Sequence, residues 1–328
     1  MRHFVRCAAL VLLVVASPVA ADPGVTGHRG WGWLVDRLAA DGVDRAQVER
    51  AFDDPRIDPF DGLDFGLAPH ESRGLYRSFL RPGGIAAARS CRMRYARELD
   101  AAAAAERVPA SVIAAIISVE SGCGQHTGGY VILERLARLA MANEPANLDR
   151  NLARLAPSGD GPVAARVRAR ARYLDDTFYP EVRAVFTLAA RLGTDPVAIR
   201  GSGSGAFGTP QFLPTSYLTH GADGDADGRV DLYDPADAAL SCACYLAGSG
   251  WRPGLSSAGQ RRALWAYNRS DAYIDTVLAL ARAIDRPAPP RTRTATRPAH
   301  RPAASRTVQA KVKRAPQGRN LSVSSLRP

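Results

Sequence analysis

Val108-Pro-Ala-Ser-Val-Ile-Ala-Ala-Ile-Ile-Ser-Val-Glu-Ser-Gly122 is the stretch on which the fold turns. Pro109 suits the first turn of a helix, where a backbone N–H has no intrahelical partner to lose, and Gly122 suits the turn just past its end. Between Ala110 and Val119 only two residues are polar, both serines, so the pattern predicts a helix that is apolar almost all round and runs through a core. Its single carboxylate, Glu120, falls in the last turn. Desolvation and the negative end of the helix dipole both disfavour a charged carboxyl there, which predicts a raised pKa of the kind a general acid needs near neutral pH. The plainer alternative is a carboxylate that emerges into water as its helix ends.

Outward from this helix, periodicity remains helical from Gly30 to Ile284, with Trp33-Leu34, Leu38 and Val48 marking short amphipathic helices and an alanine-rich run closing Arg89 to Glu106. Alternating strand patterns are scarce. The expected fold is mainly α, many short helices around one core. At 328 residues, 46% apolar and 23% charged, the chain has the make-up of a globular protein, which excludes disorder throughout. The net charge of +11 resides in residues 286–328, which hold 11 basic residues, no acidic one and seven prolines. Residues 1–285 balance at 32 basic against 32 acidic, so the body has no basic footprint for nucleic acid and none is expected as a partner. The tail reads as a disordered cationic arm suited to anionic wall polymers or a membrane surface. At the other end, Arg2 and Arg6, the apolar run Ala8 to Ala16 and the small residues Val19-Ala20-Ala21 read as a secretory signal peptide over 1–21. The reading is therefore a periplasmic or secreted protein without lipid anchor or transmembrane helix, its folded domain spanning 22–285.

Four cysteines remain after the signal: Cys91, Cys123, Cys242 and Cys244. They allow three pairings. Cys242 and Cys244 lie two apart on a helical-looking segment and point away from each other, so at most one of them is expected to meet Cys123. The C-x-C lacks a second close pair, which weakens a zinc reading.

Three further segments carry chemistry. Gly201 to Tyr217 is rich in glycine and holds a literal G-x-G-x-x-G at Gly203, Gly205 and Gly208, yet helix-like sequence precedes it and Pro210 and Pro214 follow, so a dinucleotide site is rejected. A loop that lets backbone approach a ligand closely, followed by the hydrogen-bonding amide of Gln211, fits better; the bland alternative is a mobile linker. Asp223-Gly-Asp225-Ala-Asp227-Gly228-Arg229-Val230-Asp231-Leu-Tyr-Asp234 reproduces an EF-hand loop, with oxygen ligands at positions 1, 3, 5, 9 and 12, the Arg229 carbonyl at 7 and glycine at 6. Asp at position 12 instead of Glu reaches the ion less easily. Asp234 also precedes Pro235 and so doubles as a helix cap. A structural calcium, or sodium, is the implied ion. Finally, Leu264 to Tyr273 sets Tyr267 beside Asn268, an aromatic face with an amide, a combination suited to a sugar and equally at home in a core.

Taken in order, Glu120 to Gly124, Ile132 to Leu139, Gly205 to Tyr217, Asp223 to Ala238, Gly250-Trp251 and Ala266 to Ser270 resemble the lytic murein transglycosylases of the B family. The resemblance implies a lysozyme-like, mostly helical fold with the EF-hand-like loop beside the groove, and cleavage of peptidoglycan strands between N-acetylmuramic acid and N-acetylglucosamine. By motif position Glu120 takes the acid and base role, Ser202 and Gln211 line the groove, and Tyr267 with Asn268 contact the sugar at the cleavage point. Three departures stand out: an insertion over about 144–172 bearing Arg166, Arg168, Arg170 and Arg172; Thr177-Phe178 where the family has a groove tyrosine, with Tyr179 as a substitute; and no Trp-Gly near the catalytic segment. Ordinary glycosidases flank the scissile bond with two carboxylates. The resemblance assigns no second carboxylate to the chemistry beside Glu120, so the implied reaction is non-hydrolytic and ends in a 1,6-anhydromuramoyl product. A hydrolytic muramidase and a non-catalytic, calcium-braced wall-binding protein are the alternatives.

Overall fold

The computed structural model describes residues 27–67, 74 and 76–286. The expected signal peptide and, apart from Arg286, the basic tail lie outside the described residues. Twelve α-helices carry the described chain: α1 (Gly32–Ala40), α2 (Arg45–Asp53), α3 (Pro82–Arg94), α4 (Ala96–Glu106), α5 (Ala110–Ser121), α6 (Ile132–Ala140), α7 (Pro145–Leu155), α8 (Pro162–Leu192), α9 (Pro214–His220), α10 (Pro235–Gly248), α11 (Ser257–Tyr267) and α12 (Asp271–Asp285). Proline stands in the first turn of α3, α7, α8, α9 and α10, where its missing N–H costs nothing. Two short strands, β1 (Tyr130–Val131) and β2 (Arg200–Gly201), pair antiparallel with Tyr130 opposite Gly201. Mainly helical architecture is thus what the periodicity predicts, with one local change: the helical run up to Glu106 breaks at Tyr95 between α3 and α4.

The predicted apolar helix is α5. Residues from Ser111 to Ser118 are all buried, and α5 packs against α3, α4, α10 and α12. It ends as glycine allows. Gly122 adopts a left-handed conformation, φ 59°, its N–H donates to the Ser118 carbonyl at 3.1 Å, and the Cys123 N–H donates to the Ile117 carbonyl at 3.2 Å.

Buried side chains gather in two adjoining clusters instead of the single core expected. One unites α1 and α2 with α6, α8, Phe207, Phe212 and Tyr217; the other unites α3, α4 and α5 with α10, α11 and α12. Tyr267 packs against both. The division follows sequence order, because α6 and α8 share a cluster with the N-terminal helices while α10 to α12 share one with α5. The two clusters meet at Tyr267, so the chain forms two lobes with a junction between them.

The insertion over 144–172 forms a helical hairpin, α7 and the opening turns of α8. Glu144 caps α7 by accepting the Asn147 N–H at 2.6 Å. Asn147 and Asn151, both buried, accept the backbone N–H groups of Leu63 and Phe65, so the insertion clasps the extended segment before α3. Tyr179, offered by the sequence as a groove residue, belongs to this lobe's interior: its hydroxyl donates to Asp41 Oδ2 at 2.7 Å and Arg37 stacks on its ring. Its place on α8 faces α1, so it does not substitute in the groove. Among the described residues no single helix is long and apolar enough to cross a membrane.

Candidate active site

Glu120 lies half-buried in the last turn of α5, where the two lobes meet. Ser121 ties this helix end to the glycine-rich loop: its Oγ donates to the Thr209 carbonyl at 2.7 Å and accepts the Gly124 N–H at 2.9 Å. The loop itself is ordered by its own backbone. Ser202 N donates to Ala206 O at 2.7 Å, and Phe207 and Phe212 exchange hydrogen bonds across the turn. Gly208 has φ +73°, and a Cβ there would meet the Leu232 Cβ at 2.3 Å, so no other residue fits this bend. The mobile-linker alternative therefore falls away: the loop is a built wall.

Facing Glu120 across the helix end stand Tyr267, Tyr273 and Cys242. Tyr267 and Tyr273 have pKa values raised well above the phenol range, first by burial; the Glu120 carboxylate adds to this in both. The buried Cys242 thiol is likewise raised by desolvation, with the Tyr267 hydroxyl against it and the Glu120 charge nearby. Tyr267 donates to the Pro210 carbonyl at 2.6 Å, joining the C-terminal helices to the glycine loop. The Tyr273 hydroxyl faces the Glu120 carboxylate. The Asn268 Oδ1 is buried without a hydrogen bond, which is rare in native interiors and points to a missing partner.

Of the candidate residues, the structure brings Glu120, Gln211, Tyr267 and Asn268 to this junction, and Ser202 to the same loop. Ser202 Oγ lies 3.1 Å from Ser204 Oγ and accepts the Ala206 N–H at 3.2 Å. Gln211 spends its donor on the loop, its Nε2 bonding Gly208 O at 2.8 Å and Thr127 O at 3.2 Å. Tyr267 likewise spends its hydroxyl on Pro210. Ser121, Tyr273 and Cys242 carry no signal in the local sequence pattern; their roles depend on interactions of α5 with residues 88 to 153 positions later.

Other buried carboxylates have structural partners. Glu134 pairs with Arg138, Asp175 with Arg37, and Glu181 accepts from the Thr215 N–H and hydroxyl. Asp237 accepts the N–H groups of Gly224 and Asp231, both at 2.6 Å. It thereby folds the EF-hand-like loop from behind. Asp223, Asp225 and Asp227 place carboxylate oxygens within 4.8 Å of one another. Despite the N–H of Asp227, burial and the carboxylates of Asp227, Asp234 and Asp223 push the Asp225 pKa up, the signature of anions crowded without a counter-charge. Such all-oxygen donors suit a hard cation. Asp231 turns its carboxylate to the Tyr233 N–H, and Asp234 caps α10 by accepting the Ala236 N–H at 2.7 Å, the second role the sequence allowed it. The Thr209 N–H donates to Leu232 O at 2.8 Å, which couples this loop to the glycine wall.

The structure settles the pairing that the sequence leaves open, within the expectation that at most one of Cys242 and Cys244 meets Cys123. Cys91 and Cys123 form the disulfide, with Cα atoms 5.9 Å apart, while Cys242 and Cys244 are free. The bond pins α3 to the turn that follows Glu120. Cys242 points into the site, and the half-buried Cys244, pushed up to about 11 by burial and by Glu106, faces α4.

This architecture, a carboxylate at the end of a buried helix between a glycine wall and an aromatic wall, agrees with the comparisons. The transglycosylase SLT domain model matches residues 30–261, and the chain belongs to that family. Membrane-bound lytic murein transglycosylase B of Escherichia coli is 33% identical over 147 residues, 45% of this chain and 33% of that protein, so the chain spans about a third of the length of this relative. Two solved structures show the same fold. The E. coli lytic transglycosylase Slt35 in complex with calcium is 22% identical with a TM-score of 0.57, over 77% of this chain and 92% of that one. SltB3 of Pseudomonas aeruginosa, in complex with NAG-anhNAM-pentapeptide, is 20% identical with a TM-score of 0.54, over 78% of each chain.

Proposed function

We propose that this protein is an exported peptidoglycan lytic transglycosylase that cleaves the bond between N-acetylmuramic acid and N-acetylglucosamine, with Glu120 as acid and then base. The observation that carries the reading is the placement of Glu120 in the last turn of a buried helix, between the glycine-rich loop on one side and Tyr267, Tyr273 and Cys242 on the other. Relatives in the same family are named for this activity, and one is bound to an anhydro product. Glu120 gives its proton to the leaving oxygen of N-acetylglucosamine as the C1–O bond breaks. The resulting carboxylate takes the proton of the muramoyl C6 hydroxyl, whose oxygen bonds to C1. No water is consumed, and Glu120 ends protonated as it began. Its place in the last turn of an apolar helix favours the protonated form that starts the cycle.

Substrate contacts fall to the groups left with capacity: the Asn268 carbonyl oxygen, the Gln211 carbonyl oxygen and the Ser202 hydroxyl, with the ring of Tyr267 as wall. Each hydrogen bond to developing charge is worth about 1.5–3 kcal/mol. Calcium is the proposed structural ion, held by Asp223, Asp225 and Asp227 with the Arg229 carbonyl and Asp231, while Asp234 keeps the α10 cap. When bound it supplies charge balance for the carboxylates and stiffens the loop behind Thr209. The basic tail would then hold the enzyme near anionic polymers. Digestion of murein sacculi, with products resolved by mass, tests the reaction: 1,6-anhydro ends are expected, reducing ends would make the protein a hydrolytic muramidase, and no release with retained binding would make it a wall-binding protein.

A further inference from the structure

A cleft of about 1140 Å³ opens between the C-terminal end of α8 and the EF-hand-like loop. Arg191, Arg200 and Arg229 line it, with the ring of Tyr233, 46% exposed, as one wall. Elsewhere in the described chain several arginines are paired, as are Arg37, Arg56, Arg138, Arg150 and Arg261 with aspartate or glutamate. The guanidinium groups of Arg200 and Arg229 have no hydrogen-bond or ion-pair partner among the described residues, and Arg191 has one long contact of 3.5 Å to a carbonyl. Two carboxylates share the cleft, but they face inward chemically: Asp223 accepts the N–H groups of Ala226, Asp227 and Gly228, and Asp231 that of Tyr233. The three guanidinium groups outnumber these two carboxylates, so the lining keeps a net positive charge.

This cleft adjoins the candidate active site. Gly128 lines it and stands against the backbone of Gly201 and Ser202, the start of the glycine wall. Tyr233 borders both this cleft and a smaller cavity of about 130 Å³ beside Gly124 and Thr209, the residues that Ser121 ties to the end of α5. Its hydroxyl donates to Arg200 O at 2.7 Å and fixes the ring between the two. The cleft thus adjoins the glycine wall and presents three cations that a neutral sugar backbone does not need. Guanidinium groups match carboxylates in a planar, two-toothed fashion.

We infer that the arginine-lined cleft of Arg191, Arg200 and Arg229 binds the carboxylates of the peptide stems that muramoyl residues carry, making stem-bearing strands the preferred substrate. The identity of the ligand rests on the murein reading above; the carboxylate chemistry does not. The test uses the full chain as Glu120→Gln, so that ligand survives, and three probes: glycan strands with pentapeptide stems, the same strands stripped by an amidase, and stem-bearing strands with carboxylates converted to methylamides. The expected result is binding about tenfold or more tighter to the first than to the other two, and loss of that preference in the double variant Arg191→Ala with Arg200→Ala. Equal affinity for all three probes overturns the inference without any variant, and so does a folded double variant that keeps the preference. Cleavage assays on the wild-type chain separate the two readings. Carboxylate-dependent binding without any cleavage refutes the lyase reading alone, and cleavage of all three strands at equal kcat/KM refutes the stem site alone.

Discussion

Replacing Ser121 by alanine tests how Glu120 is held. The Ser121 hydroxyl, 1% exposed, is the direct link between the end of α5 and the glycine wall, donating to Thr209 O and accepting from Gly124 N. Thr209 is buried, so its carbonyl cannot turn to water once the donor is gone, at a cost of about 1–3 kcal/mol; the exposed Gly124 N–H rehydrates and loses about 0.5–1.5 kcal/mol. The total is about 1.5–4.5 kcal/mol, which at about 2–4 °C per kcal/mol for a domain of this size lowers Tm by roughly 3–18 °C. Turnover falls as well, because Glu120 is the adjacent residue and a displacement of about 1 Å in a catalytic group costs on the order of a hundredfold. Ser118→Ala is the control. That hydroxyl only returns to the Ala114 carbonyl of its own helix, at 2.6 Å, so its loss is expected to leave both readouts nearly unchanged. Thermal melts followed by circular dichroism, and release of soluble fragments from sacculi well below the melt, read the two effects. If Ser121→Ala melts and turns over like Ser118→Ala, the link does not position the carboxylate.

The disulfide between Cys91 and Cys123 closes a separation of 32 residues, for which chain entropy predicts a stabilisation of roughly 4 kcal/mol; Cys91→Ala with Cys123→Ala should lose much of it in denaturant titration, and an unchanged midpoint would contradict the clamp. Calcium should raise Tm in proportion to the logarithm of its concentration, by about 2.7 kcal/mol at a hundred times its Kd; Asp225→Asn should abolish the rise, and a wild-type chain indifferent to both calcium and chelator would remove the ion. Asp54, hydrogen-bonded by Arg56, has its pKa lowered to about 2. Because the folded value is below the unfolded one, its contribution is complete above about pH 4 and is lost as pH falls toward 2, so Asp54→Asn should flatten that acid limb in equilibrium unfolding; an identical limb would refute the pair's role.

Much of the site was legible because its signals are local. Pro109, Gly122 and the serine-only polarity between them specify α5 without any distant contact, and alternate aspartates around Gly228 specify the cation loop. The left-over half depends on residues far apart in sequence. Cys91 meets Cys123 because α3 packs along α5, a packing that no cysteine spacing encodes. Tyr179 reads as a groove aromatic until α8 is seen to turn it toward Asp41 of the first lobe. The division into two lobes, and with it the junction that Tyr267 bridges, arises from which helices share a cluster, and a periodicity of 3.6 residues says only that each has an apolar face. Asp234 was ambiguous for a sound reason, since one carboxylate before proline serves a cap and a metal loop equally well.

The decisive measurement is the release of soluble muropeptides from sacculi by Glu120→Gln beside the wild-type chain, at equal bound protein and with folding verified by the melt. An amide of the same shape cannot give and retake the proton, so binding is expected to persist while release falls at least a thousandfold, the scale of losing general acid–base catalysis at one bond. Release by the variant within a few-fold of wild type, with the same product masses, would show that the bond is broken by some other group.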